Sequence, residues 1–320
     1  MIVKQRSLPL RLRKLESLTR RLHPHHPKLS LINDNYRRLK AGFSGEQSLE
    51  FYLGLLPQTN DLILHDLRLF DGQRFFQIDT LILTSSFFLI IEVKNISGVI
   101  TLDQQVHQLI RGNENKEEVF PDPVIQAERQ KEQLENFLLE HFSMAVPVDF
   151  LVAFTHRKVM IKFKNKESHP ALLRAEGIPK RVQSMKMTYP NEVIDQDRLY
   201  QLSSQLIEKH LEPKADLFQQ YELKLNEIRT GVQCPGCDQY AMIRIKGKWR
   251  CPLCNKISSN AHAAALQDYK YLIHERISNQ EARRFLHLDS PAAANRLLNK
   301  LACDKTGVNR WRRYVLPDAP

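Results

Sequence analysis

Four cysteines stand in two pairs, Cys234-Pro-Gly-Cys237 and Cys251-Pro-Leu-Cys254, in the order C-x2-C-x13-C-x2-C. Each pair is a tight turn that can present two thiolates to one ion, and Gly236 gives the first turn its backbone freedom. Four thiolates close a tetrahedral shell and leave no open coordination position, which is the chemistry of a structural Zn2+. Residues 240–246 and 247–250 between the pairs are expected to form a short hairpin, as in a zinc ribbon. A redox dithiol would need one pair at the start of a helix in a βαβ setting. Lys248 and Trp249 lie on this hairpin, where a basic residue beside an aromatic could contact a nucleic-acid strand; packing of Trp249 into the small ribbon core is the other reading.

A second set of residues is acidic. Asp79 interrupts the apolar run FQIDTLIL, and Glu92 with Lys94 interrupt FFLIIEVKN. Strand side chains repeat every two residues, so Glu92 and Lys94 share a face, and a hairpin through Thr84-Ser85-Ser86 would bring Asp79 alongside. Carboxylates within apolar strands are costly unless they are paired or bound to a cation. Two carboxylates and an ammonium at one place call for a divalent ion, Mg2+ or Mn2+, which takes one or two carboxylates together with waters and phosphate oxygens. Such an ion activates water for phosphodiester hydrolysis, and a lysine beside it can orient that water and bind the phosphate. A Glu92–Lys94 salt bridge with a solvated Asp79 is the alternative reading of the same spacing.

The third set lies near the C-terminus. Ser278-Asn-Gln-Glu281 reads as a capping box, and Ser290-Pro291 as an N-cap followed by proline at the first helical position. They open two short helices joined by a three-residue turn at His287-Leu288-Asp289, with a longer helix over 262–275 before them. A strand-turn-strand wing over 307–316 carries Arg310, Arg312 and Arg313. Ala294, Leu297, Leu298 and Leu301 form a buried stripe, which leaves Asn295, Arg296 and Asn299 to reach base edges or phosphates. Over 260–318 this resembles a winged helix-turn-helix DNA-binding domain; small three-helix modules without nucleic-acid contacts share the pattern. Cys303 has no partner in sequence and is expected to be a small buried hydrophobe.

The elements that must position these groups follow from patterning. A helix is expected over 44–56 with Ser44 as N-cap, then strands over 61–70, 76–83, 87–95, 99–102 and 106–111. Pro121-Asp122-Pro123 would open a helix over 124–141. Val148–Phe154 is apolar enough for a strand buried on both faces, with Val159–Phe163 and a helix over 198–210 after it. This order indicates a mixed α/β sheet flanked by helices.

Composition sets the outer bounds. The 320 residues carry 47 Lys+Arg against 36 Asp+Glu, a formal net charge of +11. Residues 1–40 hold eleven basic side chains and two acidic ones, which reads as a basic arm for phosphates or another acidic surface, or as a solvated helical arm without a partner. The longest uncharged stretch, residues 80–91, is far shorter than the roughly 20 residues of a membrane helix, and charges interrupt the N-terminal apolar run. With paired cysteines that suit metal better than disulfides, a cytoplasmic protein without a membrane partner is expected. The boundaries expected are an arm over 1–40, a catalytic-type domain over 41–212, a helical linker over 213–232, the ribbon over 233–256 and the C-terminal module over 260–318.

Asp79-x12-Glu92-Val93-Lys94 resembles the D…ExK signature of the PD-(D/E)xK nuclease superfamily. Gly42-Phe43-Ser44-Gly45-Glu46 resembles the GxxGE helix opening of the nuclease-related domain family, and Asp122-Pro123-Val124-Ile125-Gln126 is similar to that family's proline-led helix carrying a glutamine. The resemblance covers about residues 41–155. It implies a restriction-endonuclease-like fold in which Asp79 and Glu92 ligate the metal with the Val93 carbonyl, and Lys94 positions water and phosphate. Glu46 is then the accessory carboxylate and Gln126 borders the site. The function implied is Mg2+-dependent hydrolysis of DNA, with RNA as a further substrate class and a homodimer compatible with cutting both strands. A DNA-binding regulator or scaffold whose nuclease-like domain only binds is the alternative.

Overall fold

The apolar runs around Asp79 and Glu92 pair where their patterning requires, and the result is a mixed sheet covered on both faces. The structure, a computed structural model, describes residues 1–57, 60–113, 116–164 and 168–318, with the side chains of Asn113, Lys116 and Arg310 left aside. Two units share the chain: Met1–Leu8 with Leu39–Pro213, and Pro9–Arg38 with Lys214–Pro320. From the N-terminus the elements are β1 (Ile2–Lys4), α1 (Leu10–Arg21), α2 (Leu29–Leu53), β2 (Leu62–Phe70), β3 (Phe75–Leu83) and β4 (Phe88–Lys94). There follow β5 (Gly98–Asp103), β6 (Gln108–Asn113), β7 (Lys116–Pro121), α3 (Pro123–Phe142), β8 (Val148–Phe154), β9 (Val159–Phe163), β10 (Leu172–Arg174), α4 (Ile178–Thr188) and α5 (Gln196–Glu208).

In the first unit the main sheet runs β1-β2-β3-β4-β8-β10, with β2, β3 and β4 antiparallel and the pairs β1–β2, β4–β8 and β8–β10 parallel. One core packs Phe88, Ile90 and Val152 of the sheet against Val124, Ala127 and Leu134 of α3 and Leu199 and Leu202 of α5. The opposite face packs Leu89, Ile91 and Val93 against Leu49 and Leu53 of α2 and Ile178 and Val182 of α4. The alternation along β4 therefore sends Glu92 and Lys94 to the α3 side. A second sheet, β7-β6-β5-β9, lies in the same unit.

The sheet is bent at one row. Leu62 and Leu64, and then Leu67 and Leu69, join the same core, so the in–out alternation of β2 slips by one residue between them. Asp66 has φ 52°, and the β2–β3 ladder passes from His65↔Thr80 to Leu67↔Ile78 without pairing Asp66 to Asp79. The register is the same on both sides, so no residue is inserted: one residue of each strand, Asp66 and Asp79, is left out of the ladder, and the side chains beyond it are re-aimed.

In the second unit α1 buries Leu12, Leu15 and Leu18, and its C-cap Leu22 is buried as well. After α6 (Leu217–Tyr221) come β11 (Ile243–Ile245), β12 (Lys248–Arg250), β13 (Ile257–Ser258), α7 (Ala261–Leu272), β14 (Arg276–Ser278), α8 (Asn279–Leu286), α9 (Pro291–Leu301), β15 (Asp304–Thr306) and β16 (Arg313–Val315). The last three strands form an antiparallel sheet in the order β14-β16-β15. Cys234, Trp249 and Cys251 share one core with Leu266, Phe285, Leu298 and Tyr314, so the cysteine hairpin and the C-terminal helices are one packed body.

Several expectations are corrected. Residues 1–40 are not a free arm: β1 pairs with β2, α1 is packed through its leucine stripe, and Arg6 and Arg21 are buried. Arg21 donates to Asp268, Arg229 O and Gly231 O, which is what allows its charge to be buried. Helix α2 starts at Leu29, not at Ser44, and runs through Gly42 and Gly45. The longer C-terminal helix stops at Leu272, and the hairpin that follows α9 uses 304–306 and 313–315 in place of a wing starting at 307. Cys303 is exposed. Among the described residues, no helix is long and apolar enough to cross a membrane.

Candidate active site and metal centre

Asp79 lies at a gap in the β2–β3 ladder and at the end of the β3–β4 ladder. The β3–β4 register ends at Thr80↔Ile91, and one step further would set Asp79 opposite Glu92. The Val93 N–H, released from that ladder, donates instead to Asp79 Oδ2 at 2.9 Å. Glu92 is 3% exposed and fully engaged. Its Oε1 accepts from Lys94 Nζ at 2.7 Å and Gln126 Nε2 at 2.8 Å, and its Oε2 accepts from Gln130 Nε2 at 2.8 Å. Lys94 Nζ also donates to Gln126 Oε1 at 2.9 Å. Both glutamines come from α3, whose start is set by Asp122: its side chain accepts from Val124 N at 2.8 Å, with Pro123 in the first turn. Gln126 and Gln130 are four residues apart and so share one helix face over Glu92. Burial above all, and then the charges of Glu92 and Glu46, hold the Asp79 carboxyl well above the usual carboxylate range.

Glu46 approaches from α2. It accepts from Arg6 Nη1 at 2.8 Å, and the same nitrogen donates to Asp66 Oδ1 at 2.6 Å. Arg6 Nη2 faces His65 Nδ1 at 3.1 Å, Thr80 Oγ1 at 3.1 Å and the Asp79 carbonyl at 3.3 Å. Burial raises the Glu46 and Asp66 carboxyls in spite of Arg6. His65 is fully buried, and burial with the charges of Arg6 and Lys4 holds its imidazole down to about 4. Sequence reasoning placed Arg6 in the arm and did not single out His65, Asp66 or Gln130. Of these only Gln130 had a signal, its helical spacing from Gln126.

Gly45 brings α2 close enough for Glu46 to reach. A Cβ at this position would stand 2.4 Å from Asn95 Cβ and 2.9 Å from Thr155 Oγ1, just past β4 and β8. Asn95 Nδ2 also donates to the Ala41 carbonyl at 2.7 Å, pinning the helix. Gly45→Ala is expected to force α2 outward and to cost about 1–3 kcal/mol, a fall of several degrees in melting temperature followed by circular dichroism. An unchanged melting curve would show that the close approach is not needed.

The four predicted cysteines converge. Their Sγ atoms all lie within 4.8 Å of one another, and among the described residues they are the only group of three or more His, Cys, Asp or Glu side chains to do so. Cys234 and Cys254 are 3.5 Å apart and Cys237 and Cys251 3.7 Å. A tetrahedron of sulfurs about 2.3 Å from a metal has edges of about 3.8 Å, so the cluster has the dimensions of a tetrathiolate site. The two knuckles repeat one geometry: Asp238 N donates to Cys234 O as Asn255 N does to Cys251 O, and Asp238 and Asn255 have φ 57° and 59°.

Trp249 is fully buried and donates from Nε1 to His262 Nδ1 at 3.1 Å, which corrects its assignment to nucleic-acid stacking. In this unit Trp311 is exposed, at 72%. Because Nδ1 accepts from Trp249, protonating His262 breaks that bond; burial first, then Arg244 and Lys300, hold the imidazole down to about 4. The unfolded chain therefore binds the proton first: the stabilisation is complete above about pH 6.5 and is lost as pH falls towards 4. Between pH 7 and pH 5 the loss should be on the order of 1–2 kcal/mol after solvent screening. Urea midpoints read by tryptophan fluorescence should show it in the wild type and less of it in His262→Gln; equal slopes in both would contradict this.

Lys248, Asn295, Arg296, Asn299, Arg312 and Arg313 are exposed. Asn295 Oδ1 accepts from Asn279 Nδ2 and Tyr314 OH, and Arg313 pairs with Glu281. The Arg310 side chain lies outside the described residues.

No curated protein and no solved structure matches the chain. Residues 41–155, the segment bearing Glu46, Asp79, Glu92, Lys94 and Gln126, match the family model of the nuclease-related domain.

Proposed function

We propose that the first unit is a divalent-metal-dependent nuclease that hydrolyses phosphodiester bonds in DNA. A nuclease-related domain implies a divalent metal and a nucleic-acid partner. The observation that carries the reading is Glu92, a nearly sealed carboxylate oriented by Lys94, Gln126 and Gln130 beside an Asp79 that burial and like charges keep hard to ionise. Such an arrangement of negative groups favours a cation.

Asp79 and Glu92, with the Val93 carbonyl, would hold Mg2+ or Mn2+. When bound, that ion supplies a polarised water and offsets charge on the reacting phosphate. Gln126 and Gln130 fix the Glu92 carboxylate so that it does not reorganise during the reaction. Lys94 is the group to orient the attacking water and hold a phosphate oxygen, while Glu46 on the α2 side is paired to Arg6 and stays outside the ion's ligand set.

The second unit is read as a structural Zn2+ module with a winged-helix arrangement that binds DNA. The order β14-α8-α9-β15-β16 and the exposed Asn295, Arg296, Asn299, Lys248, Arg312 and Arg313 support this. Phosphate contacts there would add salt-sensitive affinity and raise the local concentration of DNA. The same exposed residues support the second reading, a DNA-binding scaffold without cleavage. Supercoiled plasmid should be nicked in Mg2+ by the wild type, and EDTA should stop it. Absence of nicking at low salt, with DNA still bound, would favour the scaffold; competition by labelled RNA would move the substrate class.

A further inference from the structure

Arg6 is the feature that the nuclease reading does not use. Its side chain is 1% exposed, deep in the bent row of the sheet, although nothing in its local sequence calls for burial. A buried guanidinium persists only where its charge and its N–H groups are met. Here Nη1 lies between two carboxylates, Glu46 of α2 and Asp66 of β2, at 2.8 and 2.6 Å. Nη2 reaches His65, Thr80 and the backbone carbonyl of Asp79. Nε makes no hydrogen bond and has only the Glu50 carboxylate at 3.8 Å. The backbone around it is tethered as well: Lys4 Nζ donates to the carbonyls of His65 and Asp66, and β1 is paired to β2. With this many partners Arg6 is a fixed group and not a swinging gate.

Its position matters because of what Glu46 could otherwise do. Glu46 is close enough to Asp79 for its charge to act there. Without Arg6, Glu46 and Asp66 would be two half-buried carboxylates at one place, which is a composition that invites a divalent ion of its own. With Arg6 present, one positive charge already satisfies both.

We propose that Arg6 is a built-in cation, a positioning residue that holds Glu46 away from the metal and limits the site to one divalent ion at Asp79 and Glu92. This rests on the metal-site reading above. The segment just after β1 then belongs to the catalytic machinery: it carries the charge that a second metal would otherwise supply.

The test is calorimetric titration of Mn2+ into the full-length protein with its cysteine site loaded with Zn2+. The wild type should take one Mn2+ per chain. Arg6→Ala should take two, the second lost again in Arg6→Ala/Glu46→Gln, and Arg6→Lys, which restores a positive charge, should return to one. One ion in folded Arg6→Ala, two in the wild type, or a second ion that survives Glu46→Gln would each overturn the proposal. Should Arg6→Ala fail to fold, Glu46→Gln alone decides: Mn2+ affinity within about threefold of wild type is expected, and a loss of tenfold or more overturns it. A wild type that binds no Mn2+, or whose ion survives Glu92→Ala, would instead sink the metal-site reading itself.

Discussion

Glu92→Gln is expected to lower Mg2+-dependent cleavage by about 10^3-fold while leaving the protein folded. The activity loss follows from removing the charge that holds the ion, a change in transition-state electrostatics of the size seen when one organised polar group is deleted. The fold should survive because the neighbours can adapt. Gln130 Oε1 is buried without a partner, so its amide can turn over and accept from the new side-chain NH2. That turn gives up the hydrogen bond from Gln130 Nε2 to the Gln77 carbonyl, a cost of about 1 kcal/mol. Cleavage rates and unfolding curves measured on the same preparation check both halves. Equal cleavage by variant and wild type would remove Glu92 from the chemistry, and a variant that fails to fold would show that its role is structural.

On the proposed reading of the four cysteines as a structural Zn2+ site, removing the metal should unfold the second unit. Cys234 and Cys251 are fully buried and share a core with Trp249, Leu266, Phe285 and Leu298, so the metal site and the C-terminal helices stand or fall together. Structural zinc contributes about 10–16 kcal/mol of apparent binding free energy in small peptides, as much as the whole stability of a typical domain. Cys251→Ser, or a strong chelator, should therefore reduce zinc from one per chain to none and destroy the packing of Trp249. Both tryptophans of the chain, Trp249 and Trp311, lie in this unit, so a red shift of fluorescence reports it alone. Zinc-free protein with unshifted emission would show that the hydrophobic core suffices.

What was legible in the sequence was local. The spacing of Glu92 and Lys94 within one strand, the hairpin to Asp79, the two cysteine knuckles and the caps at Ser278 and Ser290 depend on neighbours a few residues away, and the structure places each as patterned. What was missed was set by distant partners. Arg6 meets Glu46, Asp66 and Thr80 across 40, 60 and 74 residues, and no short pattern announces such a meeting. The basic count over 1–40 also hid the stripe of Leu12, Leu15, Leu18 and Leu22, which charge does not prevent from packing. Gly42 and Gly45 suggested a helix start; one of them is there because α2 crosses Asn95 too closely for a side chain. Trp249 sits among basic residues in sequence but turns inward, where His262 accepts its N–H.

The central claim is that Asp79 and Glu92 are brought together to hold one hard cation. Crystals soaked in Mn2+ and measured at its absorption edge address this most directly. The account predicts an anomalous peak at roughly 2.0–2.3 Å from a carboxylate oxygen of each residue. A map with no such peak, or with Mn2+ bound to only one of the two carboxylates, would contradict it.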